Sequence, residues 1–321
     1  MRRSDHDVTD SIRTTDPAAV GAEVARLFKD LYGKVSAEVV ERGFRDATAL
    51  YRGEHPDYYP CDTEYHDIQH VLDVTLAMAR LMDGYERHRN DSPRLESEVF
   101  EVGVVAALFH DFGYLRRKRD RLHRYGAEYT LTHVSRGADY LRGYVARLGL
   151  ANHARTAAAL VHFTGYERRV ETIRLSDELL RRVGHMLGTA DIIAQMSDRC
   201  YLEKCRDRLY PEFVLGGLAG RRLSGGRTLP SFRSGADLVQ KTPFFYQNAA
   251  RRLELPLARA YQYADRHFGG QNLYLEALQR NVRYAEQVSK EPATDLKRQP
   301  PSTLAADVEP YPKDLIDIKA A

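Results

Sequence analysis

An apolar run that ends in two ionisable side chains constrains this chain more than any other segment of it. Residues 102–109, Val-Gly-Val-Val-Ala-Ala-Leu-Phe, carry no polar side chain, and His110 and Asp111 follow directly. Such a run predicts a buried helix. An ionisable pair at its end costs free energy unless a metal ion or a partner charge satisfies it. The fold must therefore bring compensating groups to this point from elsewhere in the chain.

Helical periodicity extends over most of the 321 residues, without the regular alternation of β-branched residues that is typical of strands. Apolar spacing predicts one helix from Val20 and a second that carries Val39 to Leu50. Further helical patterns cover 64–83, 98–112, 126–147, 151–164, 176–205, 243–252, 256–268 and 271–288. The sequence therefore predicts an all-α fold, a helical bundle with additional N- and C-terminal helices.

Composition predicts one helical domain between two polar ends. Residues 1–18 are polar and aperiodic, and 291–321 contain five prolines, so both segments are predicted to be disordered. Residues 19–290 form the predicted domain, with the candidate metal core at about 60–200 and a C-terminal helical part at 240–290. The Gly-, Arg- and Ser-rich stretch 215–233 predicts a flexible connection.

Charge and cysteine content argue against several classes of protein. The formal net charge of +3 is small, so general nucleic-acid binding is not implied. Cys61, Cys200 and Cys205 form no CxxC pair and are too few for a disulfide framework, which suits a reducing compartment. The start of the chain lacks the apolar core of a signal peptide, and no apolar stretch reaches membrane-spanning length. We expect a cytoplasmic protein without a membrane span, and a homodimer is one assembly open to it.

Side chains able to bind a metal recur on both sides of the His-Asp dyad. His66 and His70 stand four apart, so on a helix they would project from one face, about 5–6 Å apart at Cβ. His133 and His162 lie in later helical segments, and Asp191 is a carboxylate within an apolar helical pattern. Each has a structural alternative, because lone histidines often belong to the core and a buried aspartate can pair with an arginine or a helix terminus.

The order of these residues resembles the HD superfamily of metal-dependent phosphohydrolases, over roughly residues 60–200. The opening segment is similar to the histidine motif of cyclic nucleotide phosphodiesterases; it reads Tyr65-His66-Asp67-Ile68-Gln69-His70. The resemblance implies two divalent metal ions with Asp111 as their bridge, held by His70, His110, Asp111, His133, His162 and Asp191. The candidate ions are Mn, Fe, Zn, Co or Mg, and imidazole ligands favour the transition metals.

The resemblance also implies hydrolysis of a phosphoric ester, most concretely a phosphodiesterase that acts on a cyclic nucleotide. A hydroxide between the two metal ions would attack phosphorus in line, while the ions neutralise charge on the phosphoryl oxygens. His66 matches the general acid that protonates the leaving alkoxide, and with Asp111 it forms the predicted catalytic pair. Asp67 replaces the asparagine usual at its position; it would either orient an imidazole or remain a solvated helix residue.

Four residues are candidates for substrate binding. Tyr65 belongs to the histidine motif, and Lys118 belongs to the basic run 116–124, which could attract an anion by its field. Phe244 and Gln247 follow Asp191 at the distance where phosphodiesterases carry the residues that hold a purine ring. A solvated loop and ordinary core packing are the alternatives. The expected substrate is a small anionic phosphoester or nucleotide; nucleic acid is disfavoured because few aromatics interleave with the charges.

The chain departs from both related groups after its central motifs. Phe112 and Gly113 stand where mammalian-type phosphodiesterases continue with histidine and asparagine, and the paired histidine of HD-GYP proteins is missing after His162. Two other functions therefore stay open. One is a non-catalytic HD module that binds a nucleotide as a signal. The other is a di-iron oxygenase, because myo-inositol oxygenase has a similar ligand order.

Overall fold

Helices account for all regular secondary structure in the computed structural model, which describes residues 2–89, 92–219, 232–290 and 296–312. We number the α-helices in chain order: α1 (Pro17–Tyr32), α2 (Glu38–Tyr51), α3 (Ile68–Arg87), α4 (Ser97–Leu108), α5 (His133–Arg147), α6 (Ala154–Leu160), α7 (Glu178–Ser197), α8 (Tyr201–Lys204), α9 (Tyr210–Leu215), α10 (Gly235–Glu254), α11 (Gln262–His267) and α12 (Leu273–Lys290). Short 3-10 turns include Phe112–Tyr114, Gly126–Tyr129 and Val161–Phe163, and a π-helical turn, Cys205–Leu209, joins α8 to α9. The predicted all-α class is confirmed for the described residues.

The centre of the fold is α3, which is buried along nearly its whole length from Gln69 to Tyr85. It packs against α1, α4, α7 and α11, as expected for a helix that is apolar on most sides. The second buried helix, α4, has no exposed residue from Val99 to Leu108. Because α3, α4 and α7 pack on one another, polar side chains at their ends and faces can meet in the interior.

The start of α3 differs from the prediction. The helix begins at Ile68, because the Asp67 carboxylate accepts a hydrogen bond from the His70 backbone N–H at 3.0 Å and caps the helix. The expectation that His66 and His70 project from one helix face is therefore wrong, although their ring centroids lie 5.7 Å apart. Asp67 is buried and also accepts from the Thr303 hydroxyl, so it is not a solvated helix residue.

The N-terminal segment is ordered, which corrects the prediction of disorder for 1–18 across the described residues 2–18. Asp7 is buried, and its carboxylate lies 2.6 Å from a guanidinium nitrogen of Arg80 in α3. Arg80 also donates to the Tyr274 hydroxyl of α12 at 3.1 Å. The carboxylate that compensates the buried Arg80 charge thus comes from the N-terminal segment, and this ion pair holds the segment on α3.

The C-terminal segment 296–312 also packs against the helices, so the prediction of disorder is wrong for these residues. Arg208 donates to the Pro301 carbonyl at 2.8 Å, and the buried Tyr311 donates its backbone N–H to Glu64 at 3.2 Å. Residues 291–295 and 313–321 lie outside the described part of the chain, as do 220–231 of the predicted flexible connection. Phe232, at the end of that connection, is buried and stacks on Phe213 of α9 with 5.6 Å between ring centroids.

The cysteines and the helix lengths agree with the expectations from sequence. Cys61, Cys200 and Cys205 are buried and free. Among the described residues, no helix combines the length and the apolar character that crossing a bilayer requires.

Removing the carboxylate of Asp7 should destabilise the protein strongly. The Asp7→Ala variant leaves the Arg80 charge buried without its partner, and we expect the free energy of unfolding to fall by about 3–5 kcal/mol. Denaturant unfolding of the metal-free protein measures it. Asp30→Ala is the matched control, because it removes one of the two carboxylate partners of the exposed Arg26 and should cost less than about 1 kcal/mol. Equal losses in the two variants would contradict the ordered N-terminal contact.

Candidate metal centre

Three side chains from three segments converge in the interior. His70 lies in the first turn of α3, His110 in the turn after α4, and Asp191 in the middle of α7; one ligand atom of each lies within 4.8 Å of the others. The two histidine Nε2 atoms are 3.3 Å apart, and Asp191 Oδ1 is 3.5 Å from that of His70. Imidazole nitrogens and a carboxylate oxygen at such spacing can share one divalent ion.

Asp111 stands between these residues and a third histidine. Its Oδ2 lies 3.3 Å from His70 Nε2 and 3.1 Å from His110 Nε2, and its Oδ1 lies 3.6 Å from His133 Nε2. Asp111 is 3% exposed, and Oδ2 has no hydrogen-bond partner among the described residues. A buried carboxylate oxygen without a donor is costly, and a cation would remove that cost. The residues therefore fit a metal, with the two Asp111 oxygens facing different histidines.

Two of the histidines are oriented by backbone carbonyls. His110 Nδ1 lies 2.8 Å from the Ala107 carbonyl, and His133 Nδ1 lies 2.7 Å from the Thr130 carbonyl. Because a carbonyl oxygen only accepts, Nδ1 must carry the hydrogen in both rings. This fixes the tautomer that leaves Nε2 with a free lone pair directed to the cluster, the usual arrangement for a metal-ligating histidine.

Asp191 is oriented by a residue that the sequence analysis did not single out. The Gln195 amide donates to Asp191 Oδ1 at 3.3 Å and to its backbone carbonyl at 3.2 Å, and Gln195 accepts from the Tyr65 hydroxyl at 3.1 Å. The signal available in the sequence was the spacing of four between Asp191 and Gln195. The buried Tyr65 side chain takes part in this network through its hydroxyl.

His66 is held beside the cluster by Glu212, a second residue that the sequence analysis missed. Glu212 of α9 is buried; one carboxylate oxygen lies 2.5 Å from His66 Nδ1, and the other accepts from the Tyr65 backbone N–H at 2.6 Å. The His66 ring stacks on Tyr114, which stacks in turn on His133, with centroid distances of 4.5 and 4.3 Å. The only signal for Glu212 was an acidic residue among apolar neighbours.

Charge in this pocket favours a bound cation. Burial would raise the pKa of Asp111, but the neighbouring imidazoles of His110, His66 and His70 outweigh it and hold that pKa well below its usual range. Burial would lower the pKa of His70, but Asp111 and Asp191 raise it to about 10. In the metal-free protein the two carboxylates thus keep a proton on His70. A bound metal ion would supply the positive charge in place of that proton.

His133 and His162 differ in charge from His70. Burial lowers the pKa of His133 and of His162, so both rings are neutral at physiological pH, the state that binds a metal. Burial also lowers the pKa of His66, but the charges of Glu212 and Asp111 outweigh it and raise the pKa above its ordinary value. His66 therefore keeps its proton more readily than His133 and His162 do.

Among the described residues, no hydrogen bond, ring contact or ion pair joins His162 to the cluster. It occupies the 3-10 turn Val161–Phe163 and is buried, and its Nδ1 has no hydrogen-bond partner in the described part of the chain. At Gly188, α7 approaches this turn so closely that a Cβ would lie 2.5 Å from the Phe163 carbonyl oxygen. The turn therefore packs on the helix that carries Asp191, and no ion pair joins His162 to another described residue.

Three predicted substrate residues lie at the surface. Phe244 is 57% exposed and Gln247 is exposed on the same helix, whose buried residues include Thr242 and Tyr246. Lys118 is exposed, and its backbone N–H donates to a loop carbonyl at 2.8 Å. Within the described ranges, no hydrogen bond, ring contact or ion pair joins these three to the metal cluster. The structure does not bring them together with it.

Comparison of the chain with models of protein families, with curated proteins and with solved structures gives no match.

Metal affinity should depend on Asp191 and, to a smaller degree, on the amide that orients it. We expect Gln195→Ala to weaken Mn²⁺ binding by about 10–100-fold and Asp191→Asn to weaken it further, because the ligand itself loses its charge. Titration of metal-free protein with Mn²⁺ measures both. Asp139→Asn, which changes a 78% exposed carboxylate of α5, is the control. Wild-type affinity in Asp191→Asn would contradict the assignment.

Metal binding should be weaker in acid. Because His70 has a pKa of about 10 in the metal-free protein, an ion must displace its proton below that pH. We expect Mn²⁺ affinity to rise about tenfold per pH unit between about pH 6 and 8. Calorimetry in buffers of different ionisation enthalpy should show release of a proton per ion. An affinity independent of pH would exclude His70 as a protonated ligand.

Proposed function

We propose that this chain is a metal-dependent hydrolase of phosphoric esters of the HD type, most specifically a phosphodiesterase acting on a nucleotide. The observation that carries the proposal is the buried Asp111 carboxylate, with one oxygen facing His70 and His110 and the other facing His133. The His66–Glu212 pair beside it supplies the proton donor that ester hydrolysis needs. The resemblance of the ligand order to the HD superfamily agrees with both.

The residues of the centre divide between two ions. His70, His110, Asp191 and Asp111 Oδ2 would hold the first, and Asp111 Oδ1 with His133 would hold the second. His162 is proposed as a further ligand of the second ion on the family order alone. Bound divalent ions would make a water molecule nucleophilic near neutral pH and neutralise charge on the phosphoryl oxygens. Imidazole ligands favour Mn, Fe, Zn or Co over Mg.

His66 would protonate the leaving group. Hydrolysis breaks a phosphorus–oxygen bond, and an alkoxide that departs without a proton is a poor leaving group. Glu212 accepts at Nδ1 and raises the pKa of the ring, so a protonated His66 has its second N–H, on Nε2, free for transfer. The stack on Tyr114 restricts the orientation of the ring.

The same pair argues against the other two functions. A di-iron oxygenase releases no alkoxide. A histidine whose protonated form is stabilised by a buried glutamate would then have no group to protonate. A module that only binds a nucleotide has no need of buried carboxylates that cost folding free energy.

The free, buried thiols suit a reducing compartment, and we propose a cytoplasmic setting on that ground.

His66 should affect turnover without affecting metal binding. We expect His66→Ala to keep its metal and to hydrolyse alkyl phosphodiesters about 10²–10⁴-fold more slowly. Bis(p-nitrophenyl) phosphate, whose leaving group needs no proton, should be affected far less. Glu212→Gln should show the same difference between substrates at smaller amplitude. Asp111→Asn is the contrasting variant, because it should lose metal and both activities.

The assay should supply Mn or Fe and test cyclic AMP, cyclic GMP, cyclic dinucleotides and nucleoside monophosphates. Loss of metal from His66→Ala would show that His66 is a ligand and not the proton donor. Binding of a nucleotide without turnover of any ester would favour a signalling module. Consumption of substrate only when oxygen is present, with iron bound, would favour the oxygenase.

A further inference from the structure

A second cavity lies far from the metal centre along the same two helices. It has a volume of about 470 Å³ and is lined by the end of α3, by α7 and by the chain from Ala258 to Arg266. Tyr85 in its wall is 15 residues beyond His70 on α3, about 22 Å along the helix axis. Arg182 in its wall precedes Asp191 on α7 by nine residues, about 14 Å. The two sites are therefore separate.

Four arginines line this cavity: Arg89, Arg182, Arg259 and Arg266. Arg89 lies 3.6 Å from Glu86, and Arg259 lies 3.3 Å from Glu254. Among the described residues, Arg182 and Arg266 have no carboxylate partner. The described walls thus carry four guanidinium groups, and two neighbouring carboxylates pair with them. A net positive charge remains.

The two arginines without carboxylates are nevertheless held in place. Arg266 donates one N–H to the His88 carbonyl at 2.8 Å, and its guanidinium lies 5.7 Å from the centroid of the Tyr263 ring. Arg182 lies 5.5 Å from the centroid of the Tyr85 ring and 3.5 Å from the Tyr263 hydroxyl. A guanidinium has five N–H donors, so each keeps donors for a ligand, and aromatic faces limit its movement without neutralising its charge.

The backbone of one wall adopts an unfavourable conformation. Ala258 and Arg259 have φ values of 49° and 58°, in the left-handed region that non-glycine residues rarely occupy. The N–H of Arg259 bonds to the Leu253 carbonyl at 2.9 Å, which holds the turn after α10. Two consecutive strained residues bring the Arg259 side chain to the cavity, and such strain is concentrated at functional sites.

The positive charge of these arginines also affects the pKa of His185, a neighbouring residue of α7. Burial, and then the charges of Arg181 and Arg182, lower the pKa of His185 to about 4. The arginines thus disfavour any further positive charge at this end of the helix and favour a negative one.

We propose that this cavity binds a small phosphate anion with at least two negative charges, either a free phosphate or the phosphate group of a phosphorylated small molecule. Planar guanidinium groups bind phosphate oxygens through paired N–H donors, and several around one cavity suit a tetrahedral anion with many acceptors. The site is concave, and Glu86 and Glu254 pair with Arg89 and Arg259 in its walls. These carboxylates confine the positive potential, which favours a compact anion over a nucleic acid strand.

Pyrophosphate is the probe, titrated by calorimetry into the full metal-free chain at constant ionic strength. We expect one saturable site in the wild type and at least a tenfold loss of affinity in Arg182→Gln/Arg266→Gln. Arg266→Gln alone, at an exposed residue, should lose part of the affinity and keeps the test valid if the double variant does not fold. Arg142→Gln, at a 61% exposed arginine of α5, should bind as the wild type does.

The same variants separate this site from the metal centre, because their Mn²⁺ affinity should stay at the wild-type value even if no phosphoester is hydrolysed. Absence of saturable binding in the wild type, or equal affinity in the wild type and the arginine variants, would overturn the proposal. A parallel titration with citrate tests the chemical class: equal binding of citrate would show a general anion site and overturn the assignment to phosphate.

Discussion

The Asp111 carboxylate is the interaction on which the arrangement of this molecule depends. A buried charge costs several kcal/mol unless opposite charges and hydrogen bonds satisfy it, and here the imidazoles that face it come from α3 and α5 together with His110. The turn that carries Asp111 meets α5 so closely that a Cβ at Gly113 would lie 1.8 Å from the His133 carbonyl oxygen. Only glycine permits this contact, which fixes His133 relative to the dyad.

Different parts of the chain hold the candidate metal ligands and the candidate proton donor. The proposed metal ligands other than His162 lie on α3, α5 and α7 and in the turn after α4, and Gln195 donates a hydrogen bond to one of them, Asp191, from within α7. The proposed proton donor, His66, is held instead by α9 through Glu212. Asp67, next to His66, receives a hydroxyl from Thr303 of the C-terminal segment. The segment 296–312 is therefore part of the structure around the site.

Local patterns predicted the parts of this structure that depend on local physics. An uninterrupted apolar run gave a buried α4 with the dyad at its end, and periodicity gave the main helices, because burial of one helix face is recorded in consecutive residues. Glu212 and Asp7 could not be found in this way, since their partners His66 and Arg80 are 146 and 73 residues away. The shared helix face of His66 and His70 was wrong because a capping aspartate between them starts the helix later.

Anomalous diffraction from crystals grown with Zn²⁺ tests the central claim most directly. We predict a peak about 2.0–2.2 Å from Nε2 of His70 and His110 and from carboxylate oxygens of Asp111 and Asp191. A second peak should lie about 3.5–4 Å from the first, bound through the other Asp111 oxygen and His133. A single peak that leaves one Asp111 oxygen free would contradict the bridging carboxylate, and absence of any peak at these residues would contradict the metal centre itself.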